Sequence, residues 1–266
     1  MKKYIYILFI LFSCSEYQKV LKSDDINYKY DKAIKYYQDN DYDRALPLLN
    51  ELSKIMIGTS KMEEISYYFA YCHYATGDNL MAAYLFKQYV QNYINGKYAQ
   101  ECSFMSAYCY YLESPNYSLD PTNNYKAIKE LQNHIYQFPN SDKIEECNSL
   151  IDELRGKLAK KAFKNAKQYY ITENYKSSII ALNNLLIDFP SFNNREEVFY
   201  LIVKSSYLLA INSISSKIEQ RLQETLNVYD QFTSNFPSSK YLKELKSTYI
   251  KTQENLTKLK NKENEI

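Results

Sequence analysis

Small and aromatic positions recur along this chain at a fixed spacing of 37 residues. Ala33, Ala70 and Ala107 stand in register. Tyr30, Tyr67 and Phe104 lie three residues before them, Ile34, Tyr71 and Tyr108 one after, and Tyr37, Tyr74 and Tyr111 four after. The frame returns at Phe163, Ala166, Lys167 and Tyr170, and again at Tyr200, Val203, Lys204 and Tyr207, which makes five copies. Offsets of three, four and seven fall on one face of an α-helix, so each copy predicts a helix with an aromatic face and a short side chain where a neighbour approaches. Polar turns follow at Asn40-Asp41-Tyr42, Gly77-Asp78 and Glu173-Asn174-Tyr175, with Gly77 suited to a left-handed helix end. Ala45, Ala82 and Ser178 then lie twelve residues behind their first small residue, which predicts a second helix packed on the first. Copies three and five need longer connections, over 114–121 and 212–216. Three second helices close alike, at Gln137-Phe138-Pro139, Asp188-Phe189-Pro190 and Asn235-Phe236-Pro237. Proline cannot continue a helix, and Ser141 or Ser238 is placed to cap the next one.

A small residue, a polar turn, a second small residue and a terminal proline resemble the tetratricopeptide repeat, over about residues 26–240. The implied fold is all-α, an α-solenoid array of about five helix pairs with a C-terminal capping helix. This spacing exceeds the usual ~34 residues of that repeat, and Pro47 inside a second helix is expected to kink it. From Ser141 to Tyr170 there is no proline, and apolar residues recur at Ile144, Cys147, Ile151, Leu154, Leu158 and Ala162. One helix of about 30 residues accounts for that run; the alternative is two shorter helices broken at Gly156. After Pro237, Tyr241, Leu245, Tyr249 and Leu256 predict a last amphipathic helix. The expected organisation is repeats one to three over 26–140, then the long connecting helix, repeats four and five and the cap over 141–266.

The first residues change the picture, because they predict export. Lys2 and Lys3 precede an unbroken apolar run from Tyr4 to Phe12. That run is far short of the roughly 20 residues a spanning helix needs, and has the length of a secretory leader. Leu11-Phe12-Ser13-Cys14 follows and resembles a bacterial lipobox, which makes 1–13 a signal peptide, Cys14 the lipid-attachment site and 14–25 a linker. An ordinary signal peptide containing a cysteine is the alternative. Stable anchoring takes more than one acyl chain, which a lipidated N-terminal cysteine provides. The chain carries 33 basic and 31 acidic residues; without Lys2 and Lys3 the numbers are equal. No basic surplus or stripe points to nucleic acid.

Candidate chemistry is confined to aromatics. Residues at offsets of four and seven put Tyr30 and Tyr37, then Tyr67, Tyr71 and Tyr74, then Phe104, Tyr108 and Tyr111, on one face of successive first helices. These eight are the candidate peptide groove, each ring offering apolar area and each phenol a hydroxyl for a backbone group. The first and third columns suit packing between repeats equally well; the middle column, Tyr71 and Tyr108, is the more diagnostic of a ligand. Tyr36, Tyr110 and Tyr169 fall one position earlier than the third column and read as core. The middle column becomes Lys167 and Lys204 in copies four and five, a change from aromatic to basic. Cys72, Cys102, Cys109 and Cys147 sit among apolar helix residues, where a small buried thiol is the common outcome. His73 and His134 are too isolated for a metal site, which needs clustered ligands. No catalytic constellation, metal or cofactor is expected.

The stretch C-S-E-Y-Q-K-V-L-K-S after the lipid site, Y-Y-F-A-Y-C-H-Y, A-A-Y-L-F-K-Q-Y and E-E-C-N-S-L-I-D-E-L-R-G-K-L together resemble the BamD family. These are tetratricopeptide lipoproteins of the machinery that assembles outer-membrane β-barrels. The resemblance implies a non-enzymatic, lipid-anchored protein of the outer membrane that faces the periplasm. It implies docking of a BamA-type barrel subunit on repeats four and five. It also implies capture of the targeting strand of unfolded outer-membrane proteins by repeats one to three. A nutrient- or glycan-binding lipoprotein and a cell-envelope scaffold are the alternatives on the same repeats. Glycan-capturing relatives of this kind usually stack sugars on Trp, which this chain lacks.

Overall fold

The computed structural model describes residues 16–264, and all regular structure among them is helical. The leader 1–13 and Cys14 lie outside the described residues. A short helix α1 over 16–21 precedes α2 (Ile26–Gln38), α3 (Tyr42–Ile55), α4 (Met62–Ala75), α5 (Asn79–Asn92), α6 (Ala99–Leu112) and α7 (Thr122–Gln137). Then come α8 (Ile144–Ile171), α9 (Tyr175–Asp188), α10 (Arg195–Ile211), α11 (Ser215–Asn235) and α12 (Leu242–Asn264). The chain divides into two compact units, Met1–Leu154 and Arg155–Ile266. Helices adjacent in sequence pack on one another in both units, which is the helical-hairpin array the repeat pattern predicts. No helix among the described residues is long and apolar enough to cross a membrane.

The turn between paired helices is built identically in three copies. Asn40, Gly77 and Glu173 occupy the same repeat position and all adopt positive φ, of 59°, 82° and 62°. Each lets the next amide reach back to a carbonyl five residues earlier, Asp41 to Tyr36 at 2.8 Å, Asp78 to His73 at 2.9 Å and Asn174 to Tyr169 at 2.9 Å. That closes a Schellman end and satisfies carbonyls the helix leaves open. Asp41 and Asp78 then cap the second helix by accepting from the amides of Arg44 and Met81. Phe138, Phe189 and Phe236 are the C-caps of α7, α9 and α11, in non-helical conformation ahead of the prolines.

Short side chains lie at the contacts. Ala33, Ala45, Ala70, Ala82, Ala107, Ala166, Ser178 and Val203 are all fully buried. The Ser178 hydroxyl donates to the Ala166 carbonyl at 3.2 Å, satisfying a polar group that burial would otherwise penalise. In unit 1 one core cluster includes Leu48, Leu49, Leu52 and Ile65, and another Phe86, Tyr89, Leu131 and Leu154. Unit 2 buries Phe163, Leu182, Leu185 and Leu201, and separately Val203, Phe232 and Leu245.

The structure decides several of these readings. Pro47 lies inside α3, which is one helix over Tyr42–Ile55. α8 runs for 28 residues through Gly156, so the two-helix alternative fails. Ser141 Oγ does accept from the Lys143 amide, at 3.1 Å, but before α12 the accepting hydroxyl is Ser239, not Ser238. Tyr36 and Tyr110 pack against the core, whereas Tyr169 is 44% exposed, because its helix face has no neighbour covering it.

Candidate peptide groove

The first aromatic column is covered by the repeat that follows it. Lys61 Nζ lies 4.1 Å from the Tyr30 ring centre, and the Tyr98 ring stacks on Tyr67 at 3.9 Å. In unit 2 Tyr241 stacks on Tyr200 at 4.2 Å, and Phe192 meets Phe163 at 5.5 Å. Phe104, beneath Lys143 Nζ at 5.1 Å, is only 7% exposed. Lys61, Tyr98 and Tyr241 occupy one repeat position, immediately before the next first helix. These five rings join repeat to repeat, the packing alternative of the two that the sequence left open.

Three middle-column residues, Tyr71, Lys167 and Lys204, each carry a donor to a glutamate in the next helix of the same kind. The Tyr71 hydroxyl donates to Glu101, which also accepts from Tyr67 at 3.1 Å. Lys167 Nζ lies 2.6 Å from Glu197, and Lys204 Nζ 2.9 Å from Glu244, which accepts from Tyr200 at 2.9 Å as well. Glu64 takes the first-column hydroxyl of Tyr30 and that of Tyr68, the latter at 3.2 Å. Burial, and then the carboxylate each one bonds, push the Tyr30, Tyr71 and Tyr200 phenols far above their ordinary range. They therefore remain donors at any physiological pH. Burial pushes Glu197 up, but hydrogen bonds from Lys167 and Asn194 outweigh it and hold the carboxyl below its ordinary value. Lys204 is the main cause of a lowered Glu244.

These glutamates were not among the residues the aromatic pattern singled out. Glu64, Glu101 and Glu197 each stand six residues before the small residue of their copy, and the first two are 37 apart. That recurrence was legible; attention to rings alone passes over it.

Three hydroxyls remain. Tyr37, Tyr74 and Tyr108 are half-buried, and their hydroxyls have no protein partner among the described residues. The fourth candidate, Tyr111, donates to Glu153 at 2.7 Å. Phe104, Tyr108 and Tyr111 stack in succession, with ring centres 5.7 and 5.9 Å apart. Tyr71 meets Tyr74 edge-on at 6.2 Å, and burial and then the nearby Tyr108 raise the Tyr74 phenol. Tyr37 lies against Tyr68 at 4.5 Å. The eight candidate rings thus divide into five locked by Glu64, Glu101, Glu153 or burial and three with a hydroxyl to spare. A half-buried phenol of the second kind can bond a main-chain group while its ring covers an apolar side chain.

The remaining titratable groups are structural. Cys72, Cys102, Cys109 and Cys147 are free and buried, and burial raises the Cys72 and Cys109 thiols to about 12 and Cys147 to about 11. His134 is fully buried, with Nε2 3.1 Å from Ser141 Oγ, and burial lowers its pKa, so it is neutral. His73 Nδ1 meets the cap residue Asp78 at 3.1 Å. Among the described residues no three His, Cys, Asp or Glu side chains form a metal-binding group.

A family model described as YfiO, outer membrane lipoprotein, matches residues 22–192 and 162–262. No curated protein matches. Among solved structures, the TPR2AB domain of yeast Sti1, in a complex with pHSP90, aligns at 15% identity and a TM-score of 0.38, covering 86% of this chain and 98% of that one. The TPR domain of P58(IPK) aligns at 12% identity and 0.42, covering 91% and 68%. A thermophilic TPR protein of Thermus thermophilus aligns at 14% and 0.35, covering 86% and 99%.

Proposed function

The chain belongs to the YfiO family of outer membrane lipoproteins, which is the BamD family, and on that premise we propose that it acts in assembling outer-membrane β-barrels. In this reading Cys14 carries the lipid that holds the protein at the periplasmic face of the outer membrane. Repeats four and five dock the BamA-type barrel subunit. Repeats one to three receive the targeting strand of an unfolded barrel protein along the aromatic face. The family match, which runs from 22 to 262, carries the reading.

Within the face, the contacts fall to Tyr37, Tyr74 and Tyr108, whose hydroxyls no carboxylate among the described residues occupies. Tyr30, Tyr67, Tyr71 and Tyr111 hold the neighbouring helices at fixed spacing, and Phe104 supports Tyr108 from below. An extended strand ending in an aromatic residue suits this arrangement, offering ring surface to the column and main-chain groups to the free phenols. Affinity capture in mild detergent tests the whole proposal. The barrel subunit should co-purify, with unfolded barrel proteins in substoichiometric amounts. Recovery of a transporter or of division proteins instead would replace it with nutrient or glycan capture, or with an envelope scaffold.

A further inference from the structure

The short helix α1 is docked on the first helix pair of unit 1. Its Val20 is fully buried, and Tyr17 and Leu21 pack against the cluster that holds Ala33, Leu48 and Leu49. Glu16, the first residue of α1, pairs with Lys32 Nζ at 2.6 Å. The Tyr17 hydroxyl donates to the Arg44 carbonyl at 3.4 Å, and its ring meets Tyr36 edge-on at 5.7 Å. The Arg44 guanidinium lies 5.8 Å from the centre of the Tyr17 ring. Tyr36 is in the last turn of α2 and Arg44 in the first turn of α3. α1 therefore begins beside the turn that joins α2 to α3, at one end of that pair.

Cys14 stands two residues before Glu16. Two residues reach at most about 7 Å, however they are arranged. α2, with 13 residues, is about 20 Å long. A lipid on Cys14 is thus held close to the α2–α3 turn and away from the other end of the pair, where α3 gives way to Ile57 and Gly58. A flexible linker would let the pair tumble beneath its lipid; a docked helix does not. The turn end is also balanced in charge. Glu16 and Asp41 are paired with Lys32 and Arg44, and the exposed Asp39 and Asp43 equal the exposed Lys19 and Lys35 in number. Anionic headgroups attract clusters of basic residues, whereas a surface of mixed sign complements a zwitterionic layer.

We infer that the turn end of the α2–α3 pair, with α1 as its strut, rests on the zwitterionic phospholipid headgroup layer. The acyl chains then orient unit 1 on the membrane as well as retain it there. This rests on the reading of Cys14 as the lipid-bearing residue and adds which end of unit 1 meets the bilayer.

The test reconstitutes the full lipidated chain into vesicles of phosphatidylethanolamine and phosphatidylglycerol that carry a headgroup quencher. A fluorophore is attached at Gln38→Cys, beside the turn, or at Ile57→Cys, at the far end. Both positions are exposed, whereas Cys72, Cys102, Cys109 and Cys147 are buried. Quenching is expected to be stronger at Gln38 than at Ile57 by about threefold or more, given the ~20 Å between the two ends. The difference should persist when phosphatidylcholine replaces phosphatidylglycerol. A flexible Gly-Ser insertion of about 20 residues between Ser15 and Glu16, spanning roughly 25 Å, should abolish it while the protein stays on the vesicles. The insertion lies ahead of α1, and thermal unfolding confirms that the fold is kept. Equal quenching of the two labels in the vesicle-bound parent overturns the inference and leaves the anchor reading intact. A difference that survives the insertion does the same, because the docked helix is then not its cause. A difference lost with phosphatidylglycerol makes this end an anionic-lipid site and overturns the inference too. A parent that stays off the vesicles, with Cys14 unmodified by mass, overturns both readings.

Discussion

The middle aromatic column carries Tyr71 in unit 1 and Lys167 and Lys204 in unit 2, yet all three do the same work. Each extends a donor to a glutamate near the start of the next helix of its kind, Glu101, Glu197 or Glu244. Phenol and ammonium differ in charge and shape but share reach and a proton to give. The change from aromatic to basic therefore does not by itself mark a change of task between the halves. What distinguishes the units is Tyr108, whose hydroxyl has no such glutamate among the described residues.

Substitutions can break this comparison in order of expected size. Ala70→Leu inserts three carbons into a fully buried contact and is expected to cost about 1–3 kcal/mol by overpacking. Val203→Leu at the equivalent position of unit 2 adds a single carbon and should cost less, as read by urea denaturation. Glu101→Ala leaves two half-buried phenols without their acceptor and is expected to cost about 1–2 kcal/mol. Glu244→Ala leaves only one half-buried phenol, Tyr200, without its acceptor, beside an ammonium that water can solvate, and should cost under about 1 kcal/mol. Equal costs for the two glutamates would contradict the view that a phenol deprived of its acceptor costs more than an ammonium does.

The turns offer a finer comparison. Gly77 and Glu173 hold the same left-handed conformation, but only glycine does so without strain. Glu173→Gly should stabilise unit 2, and Gly77→Ala destabilise unit 1, each by about 1 kcal/mol. Nothing lies within 4 Å of a Cβ built on Gly77, so backbone conformation alone sets that cost.

Acid should separate the units by the smallest margin. The carboxyls of Glu197 and Glu244 are lowered in the folded chain, so their contribution is fully present above the unfolded value of about 4.3. It is lost as pH falls through the folded value. The protection of α10 and α12 amides from hydrogen exchange, relative to the unfolded chain at the same pH, is expected to be unchanged between about pH 6 and 5 and to fall below about 4.3. Lys167→Met with Lys204→Met should remove that dependence.

The helix pairs were legible because the repeat writes its constraints at fixed offsets. A small residue is needed at every close contact, a left-handed residue at every tight turn, and an aromatic-proline stop at several ends. The candidate groove was only half legible. Periodicity places Tyr67, Tyr71 and Tyr74 on one face, but which hydroxyls are spent depends on Glu101, thirty residues beyond Tyr71. Tyr71 and Tyr108 occupy the same column and differ only through that distant partner. Ser239 in place of Ser238, and the exposure of Tyr169, likewise turn on one residue of register that a 3.6-residue period does not resolve.

The central claim is that Tyr108 meets a ligand while Tyr71 joins repeats. Affinity of the full mature chain for an extended, aromatic-ended peptide, measured beside thermal unfolding for Tyr108→Ala and Tyr71→Ala, tests it directly. The expected outcome is that Tyr108→Ala weakens the peptide by about 1–3 kcal/mol with little change in the unfolding midpoint. Tyr71→Ala should lower the midpoint, because Glu101 loses one of its two donors and Phe86 a ring contact. Parent-like peptide affinity in Tyr108→Ala, with its midpoint lowered as far as that of Tyr71→Ala, would show both rings to be scaffold and contradict the claim.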